Sequence, residues 1–175
     1  MTTAYDVSGT GPTVILVHGL GLNRNMWCWQ REALAADHQV IQYDLLGHGE
    51  SAKPTGLYSM ERMVEQIAEL MAALNIPKAT LIGFSLGGLI VRAFALAHAD
   101  KTQALVILNS AHARTRPQRN AILERVKQAE EDGPGATIDA ALVRWFSEDF
   151  SRQNPRVLDQ VRTWVTQNDV DAYPA

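Results

Sequence analysis

The chain has 175 residues, with 16 Lys plus Arg against 19 Asp plus Glu and a formal net charge of -3. That length suits one domain with a sizeable core, and the slightly acidic balance excludes the basic footprint that nucleic acid or an anionic membrane would require. The start, Met1-Thr2-Thr3-Ala4-Tyr5-Asp6, has no secretory-signal pattern, no apolar run is long enough to cross a bilayer, and Cys28 is the only cysteine, so a cytoplasmic protein without an internal disulfide is expected.

Thr3 to Val7 reads as a short edge strand, and Ser8-Gly9-Thr10-Gly11-Pro12 is dense in turn formers, so the chain reverses there. Thr13-Val14-Ile15-Leu16-Val17 is a continuous apolar, β-branched run, the pattern of a strand buried on both faces of a parallel sheet. His18-Gly19-Leu20-Gly21 ends it. Asn25-Met26-Trp27 opens a helix to about Ala36, and His38 to Tyr43 forms the next strand, which runs into the glycine-rich loop Asp44 to Ser51. Ser59 caps a helix with Met60, Met63, Val64, Ile67, Leu70, Met71 and Leu74 on one face, a core stripe that Asn75-Ile76-Pro77 stops. Ala79 to Phe84 is strand-like, Leu86 to His98 has helical spacing, and Ala104 to Leu108 is a further apolar strand ending in Asn109-Ser110-Ala111-His112.

Strands alternating with helices imply right-handed βαβ units, hence an α/β fold with a mostly parallel sheet and helices on both faces over residues 1–112. After His112 the rhythm changes. Helices are expected from Pro117 to about Glu131, from Ile138 to Phe146 and from Pro155 to about Gln167, with Asn168 to Ala175 starting another, so residues 113–175 read as an all-helical segment.

The chemistry converges on Leu81-Ile82-Gly83-Phe84-Ser85-Leu86-Gly87-Gly88, a buried strand entering a helix through a Gly-x-Ser-x-Gly turn. A serine hydroxyl attacks carbonyls only when held clear of its neighbours and beside a base, and a sharp strand-to-helix turn does the holding. Ser85 is therefore the candidate nucleophile. The helix N-terminus beneath it presents free N–H groups to developing negative charge.

Three motifs occur in order, each at a strand end: His18-Gly19-Leu20-Gly21, Gly47-His48-Gly49-Glu50-Ser51 and Gly83-Phe84-Ser85-Leu86-Gly87-Gly88. Together they resemble the α/β-hydrolase superfamily. Tyr43-Asp44, Arg144-Trp145-Phe146 and Asn154-Pro155 are similar to 3-oxoadipate enol-lactonases and related carboxylesterases, in which the helical segment is a cap over the active site. The resemblance implies a hydrolase of esters or lactones that works through an acyl-enzyme on Ser85. The oxyanion would be held by the main-chain N–H groups of Leu20 and Leu86, with Trp145 near the substrate and no metal or organic cofactor. His18 and His48 are expected to shape loops rather than move protons.

The superfamily order is Ser, then Asp or Glu, then His, the last two on loops after later strands. Here no strand-like run follows residue 112, and the other acid station of the superfamily, after the Ala104 to Leu108 strand, holds Asn109 and Ser110. That strand would be an exposed sheet edge. The expectation is an N-terminal portion of a longer hydrolase with an incomplete cap, inactive as a fragment alone, that a C-terminal segment or a second chain completes by supplying Asp and His. A non-catalytic protein that binds a small molecule or a partner is the alternative. A carbon–carbon bond hydrolase or a perhydrolase of the same superfamily is another.

Overall fold

The computed structural model describes residues 2–56 and 58–175. Five strands, β1 (Tyr5–Ser8), β2 (Thr13–Val17), β3 (Gln39–Tyr43), β4 (Ala79–Phe84) and β5 (Thr102–Leu108), form one sheet in the order β1-β3-β2-β4-β5. β1 runs antiparallel to β3, with Tyr5 opposite Tyr43, and the remaining pairs are parallel. The central strand β2 is flanked by β3, its successor, on one side and by β4 on the other. Strand order thus switches direction at β2, and in open α/β sheets the crevice beyond the carboxyl ends at such a switch is where ligands bind.

The β-branched run of β2 is buried on both faces as its composition predicts. Ile15 and Val17 point with Ile41 and Tyr43 into a core shared with α2 (Met60–Ala73) and α3 (Leu86–Ala97). Val14 and Leu16 point the other way, toward Val40 and Trp27, in the layer of α1 (Cys28–Leu34). Helices therefore cover both faces. The helix expected from Asn25 is split into a 3-10 turn, Arg24–Trp27, and α1. The Asn23 side chain accepts from Asn25 N at 3.0 Å and so starts the chain in the tighter turn.

On α2 the expected stripe is buried, capped by Ser59, which accepts from Arg62 N at 3.3 Å. Gln66 is buried within it although it is polar. Its Oε1 accepts from Leu46 N at 3.0 Å and its Nε2 donates to the Asp44 carbonyl at 3.0 Å, which fixes the loop after β3.

Beyond β5 the chain is helical: α4 (Arg116–Asp132), α5 (Ile138–Trp145), α6 (Glu148–Gln153) and α7 (Pro155–Thr166). Thr115 and Gln118 close a capping box at the start of α4. The short α6 was not anticipated; Ser147 caps it by accepting from Phe150 N at 3.2 Å. No helix begins at Asn168. The Asp169 carboxylate accepts from Asp171 N at 3.0 Å and Ala172 N at 2.9 Å, a local turn that competes with helix. This segment packs on the carboxyl end of the sheet, where Leu22 and Phe84 join Ile138, Ala141, Leu142, Val161 and Val165. By contrast β5 is an edge strand, and Leu105, Val106, Ile107 and Leu108 are each 37–43% exposed.

Candidate active site

Ser85 stands between β4 and α3 with φ 54° and ψ -112°, a positive φ that a residue with a Cβ adopts only under constraint. The constraint is visible. Its N–H donates to the Leu108 carbonyl at 2.9 Å, and its own carbonyl accepts from Gly88 N at 3.1 Å and from the Ser110 hydroxyl at 2.8 Å. The three glycines around it are required by close approach. A Cβ on Gly83 would press into the Gly87 carbonyl, one on Gly87 into the Val17 carbonyl, and one on Gly88 would lie 2.6 Å from Ser110 Cβ. The Ser85 side chain does not cap α3, so the hydroxyl is left to the cleft.

The opposite lip is the loop after β2. Leu22 N donates to the Gly19 carbonyl at 3.2 Å, closing a four-residue turn with Gly21 at φ 74° in its third position. Gly21 N donates to His48 Nε2 at 3.1 Å, and His18 Nε2 accepts from Leu45 N at 2.9 Å while its Nδ1 lies 2.8 Å from the Gly19 carbonyl. Both rings are buried and each accepts a hydrogen bond from a backbone N–H at Nε2, an arrangement open only to the neutral ring. Burial, reinforced by His48, pushes His18 down to about 3, and burial also lowers His48. These two histidines shape loops, and neither lines the cleft at Ser85.

Behind this loop, Arg24 binds Asp44, Asp6 and Glu50 together. Its N–H also donates to Asp44 Oδ1 at 2.7 Å, so β1 and the glycine-rich loop are tied to one guanidinium.

Ser85, Leu20, Leu86 and Trp145, four residues singled out from the sequence, all line one cavity of ≈ 420 Å³ at the switch point of the sheet. Leu86 is the first residue of α3, whose N–H has no partner within the helix. The helical segment forms the roof through Ile122, Val126 and Ala129 of α4 and Ile138, Ala141 and Trp145 of α5. Spacings of three and four place each set on a single helix face.

Three lining residues were not singled out from the sequence as a group: Arg114, Arg125 and Arg144. Arg144, which the sequence offered only as part of Arg144-Trp145-Phe146, borders the cavity and donates to the Ala140 carbonyl at 2.9 Å. Arg125 interrupts the apolar stripe of α4 one residue before Val126, which is the sequence signal that could have found it. Among the described residues no Asp, Glu or His lines the cavity. His112 is exposed outside it, and Asn109 has φ 46° at the end of β5. Among the described residues no group of three or more His, Cys, Asp or Glu is placed to hold a metal ion.

Residues 12–156 match the family model described as alpha/beta hydrolase fold. A 3-oxoadipate enol-lactonase 2 of Acinetobacter baylyi is 28% identical over 93% of this chain and 60% of its own length. Among solved structures, an enol-lactonase from Burkholderia xenovorans superposes with a TM-score of 0.92 at 32% identity, covering 98% of this chain and 67% of that one. A thermophilic esterase from Thermogutta terrifontis, solved with malate bound, gives 0.93 at 30% identity, covering 99% and 64%. The chain thus spans about two thirds or less of the length of these relatives. With a switch-point cleft, a strained serine between β4 and α3, and a family model matched over most of its length, the chain belongs to the α/β-hydrolase family.

Proposed function

We propose that this chain carries the nucleophile of a serine hydrolase that opens carboxylic esters or lactones bearing a second, anionic group. The observation that carries the reading is Ser85 itself, in a constrained backbone conformation at the floor of a cavity that Leu20 and Leu86 also line. The Ser85 oxygen attacks the carbonyl carbon, and the displaced electron pair collects on the carbonyl oxygen between the Leu20 and Leu86 N–H groups. Collapse expels the alkoxide, which leaves protonated, and water then releases the acid from the acyl-enzyme. In a lactone the leaving alcohol stays attached to the acid. With no carboxylate or imidazole lining the cavity, the general base and its acid partner come in this reading from a segment or a second chain beside β5, whose Leu108 carbonyl already holds the Ser85 N–H.

The roof supports the anionic half of the substrate. Arg114, Arg125 and Arg144 line the cavity with no acidic side chain among its lining residues, and Trp145 offers an apolar face beside them. The Thermogutta relative holds malate, itself a dicarboxylate.

The test uses the protein with the base-bearing segment in place and an activated ester in two forms, one neutral and one with a free carboxylate on the acyl group. Intact-mass spectrometry should find a single acyl adduct on Ser85, absent in Ser85→Ala. At low salt the carboxylate form should react about tenfold faster, an advantage that shrinks as salt screens the arginines and in Arg125→Gln. Acylation elsewhere in the chain, or equal survival of the adduct in Ser85→Ala, would remove the proposal. A protein that, with that segment in place, binds both esters yet acylates with neither would favour a non-catalytic binding protein, the reading favoured by the lack of a base in the cavity.

A further inference from the structure

The turn that presents the Leu20 N–H is gripped from the helical segment by one side chain. Asn168, buried just beyond α7, donates from Nδ2 to the Gly21 carbonyl at 2.8 Å across a sequence separation of 147 residues. The second hydrogen of the same amide is shared between the Trp164 and Val165 carbonyls at the end of α7, both at 3.0 Å, and the Val165 carbonyl also accepts from Asn168 N at 3.2 Å. Three carbonyls converging on one side-chain end fix it as the amide nitrogen. Gly21 is held on its other side as well, since its N–H donates to His48 Nε2 at 3.1 Å. The Tyr173 ring lies against it, so that a Cβ on Gly21 would come within 2.9 Å of Tyr173 Cε2. The next residue, Leu22, is buried in the apolar cluster of α5 and α7.

We infer that Asn168 is a positioning residue that couples the docking of α7 to the orientation of the Leu20 N–H, so that the donor facing Ser85 is set only when the helical segment is seated. An oxyanion donor works by being aimed in advance at the place where charge develops, and small displacements of such a donor cost rate rather than binding. The Gly19–Leu22 turn cannot aim itself. Its internal tie is the 3.2 Å bond from Leu22 N to the Gly19 carbonyl, and its glycines leave the backbone free to rotate. His48 fixes one edge of the Gly21 peptide from the sheet side, and Asn168 fixes the carbonyl from the helical side. When α7 shifts, the Gly21 carbonyl shifts with it, and the Leu20 N–H, one residue earlier in the same turn, is re-aimed. The role assigned to the Leu20 N–H rests on the serine-hydrolase reading above, whereas the grip on Gly21 does not.

Two variants of the full chain separate the grip from helix capping. Asn168→Leu keeps the volume and removes both functions. Asn168→Ser keeps a hydroxyl that can return to the Trp164 carbonyl and is too short to reach Gly21. Amide exchange followed by NMR should show Gly21 and Leu22 exchanging at least about tenfold faster in both variants, with Ile15 and Leu81 unchanged. Single-turnover acylation of Ser85 by an activated ester should slow about tenfold, while the half-saturating ester concentration moves less than about twofold. Exchange at Gly21 and Leu22 that stays at the parent rate in both variants overturns the inference, as does acceleration spread evenly over the sheet. A loss expressed only as weaker ester binding overturns it too. A parent protein that no ester acylates with the base-bearing segment in place sinks the hydrolase reading instead, and the exchange arm still decides whether Asn168 holds the turn.

Discussion

Gly87→Ala is expected to abolish cooperative folding of this chain. The added methyl would be driven into the Val17 carbonyl at the end of the central strand and would sit 2.6 Å from the carbonyl of His18, the next residue. Those atoms cannot swing aside as the end of a flexible side chain could, because β2 is hydrogen-bonded on both edges, to β3 and to β4. Relief requires α3 to lift off the sheet, which would open the core where Ile90, Val91 and Phe94 meet Ile15 and Val17. Overpacking at a rigid contact of this kind costs about 3 kcal/mol or more, a large part of the total stability of a small domain. Gly135→Ala is the control. Its Cβ would meet only the Thr166 side chain, at 3.0 Å, and the change should stay within about 1 kcal/mol. Urea unfolding followed by circular dichroism reads both. A Gly87→Ala protein with a parent-like midpoint would mean that α3 does not sit on β2 as closely as described.

Acidification should destabilise the fold well before its carboxylates titrate, and His18 is the reason. The ring is fully buried, accepts from Leu45 N at 2.9 Å and is held down to about 3, against 6.5 for a free histidine. Between those two values the unfolded chain binds a proton that the folded chain refuses, so protonation drains stability from the native state. The contribution is intact above pH 6.5, begins to fall as pH drops through that value, and goes on falling toward the folded value near 3. The slope approaches about 1.4 kcal/mol per pH unit for one such group. His48, whose ionisation is also lowered by burial, adds in the same direction. Unfolding midpoints measured between about pH 7 and 5 isolate the histidines from Asp and Glu. In His18→Gln the amide oxygen can still receive the Leu45 N–H, and the dependence in that window should flatten although the protein is weaker at neutral pH. An equally steep dependence in His18→Gln would assign the acid sensitivity to other groups.

Much of this was legible because the deciding signals are local. The uninterrupted β-branched run Thr13 to Val17 announces a strand with both faces covered, and the stripe on α2 announces its buried side. The glycines around Ser85 mark a turn too tight for side chains, and the cavity gathers Ser85 with Leu20, Leu86 and Trp145. What stayed hidden depends on partners distant in the chain. Asn168 looked like the start of a helix, and nothing beside it in sequence points to Gly21. Gln66 is polar beside an apolar stripe and carries no local signal of burial, yet the backbone around Asp44 and Leu46 needs its amide. The arginines of the roof lie apart in the sequence, and only the approach of α4 and α5 over the sheet brings them to one cavity.

The half-open flank of β5 has a practical consequence. Its outer backbone groups can template another strand, and Leu105 to Leu108 present apolar side chains on both sides of it. While no other segment covers that flank, concentrated samples of this chain are expected to pair edge to edge, which light scattering against concentration would read. Because contacts of this kind weaken on cooling, chilled and dilute solutions keep it dispersed.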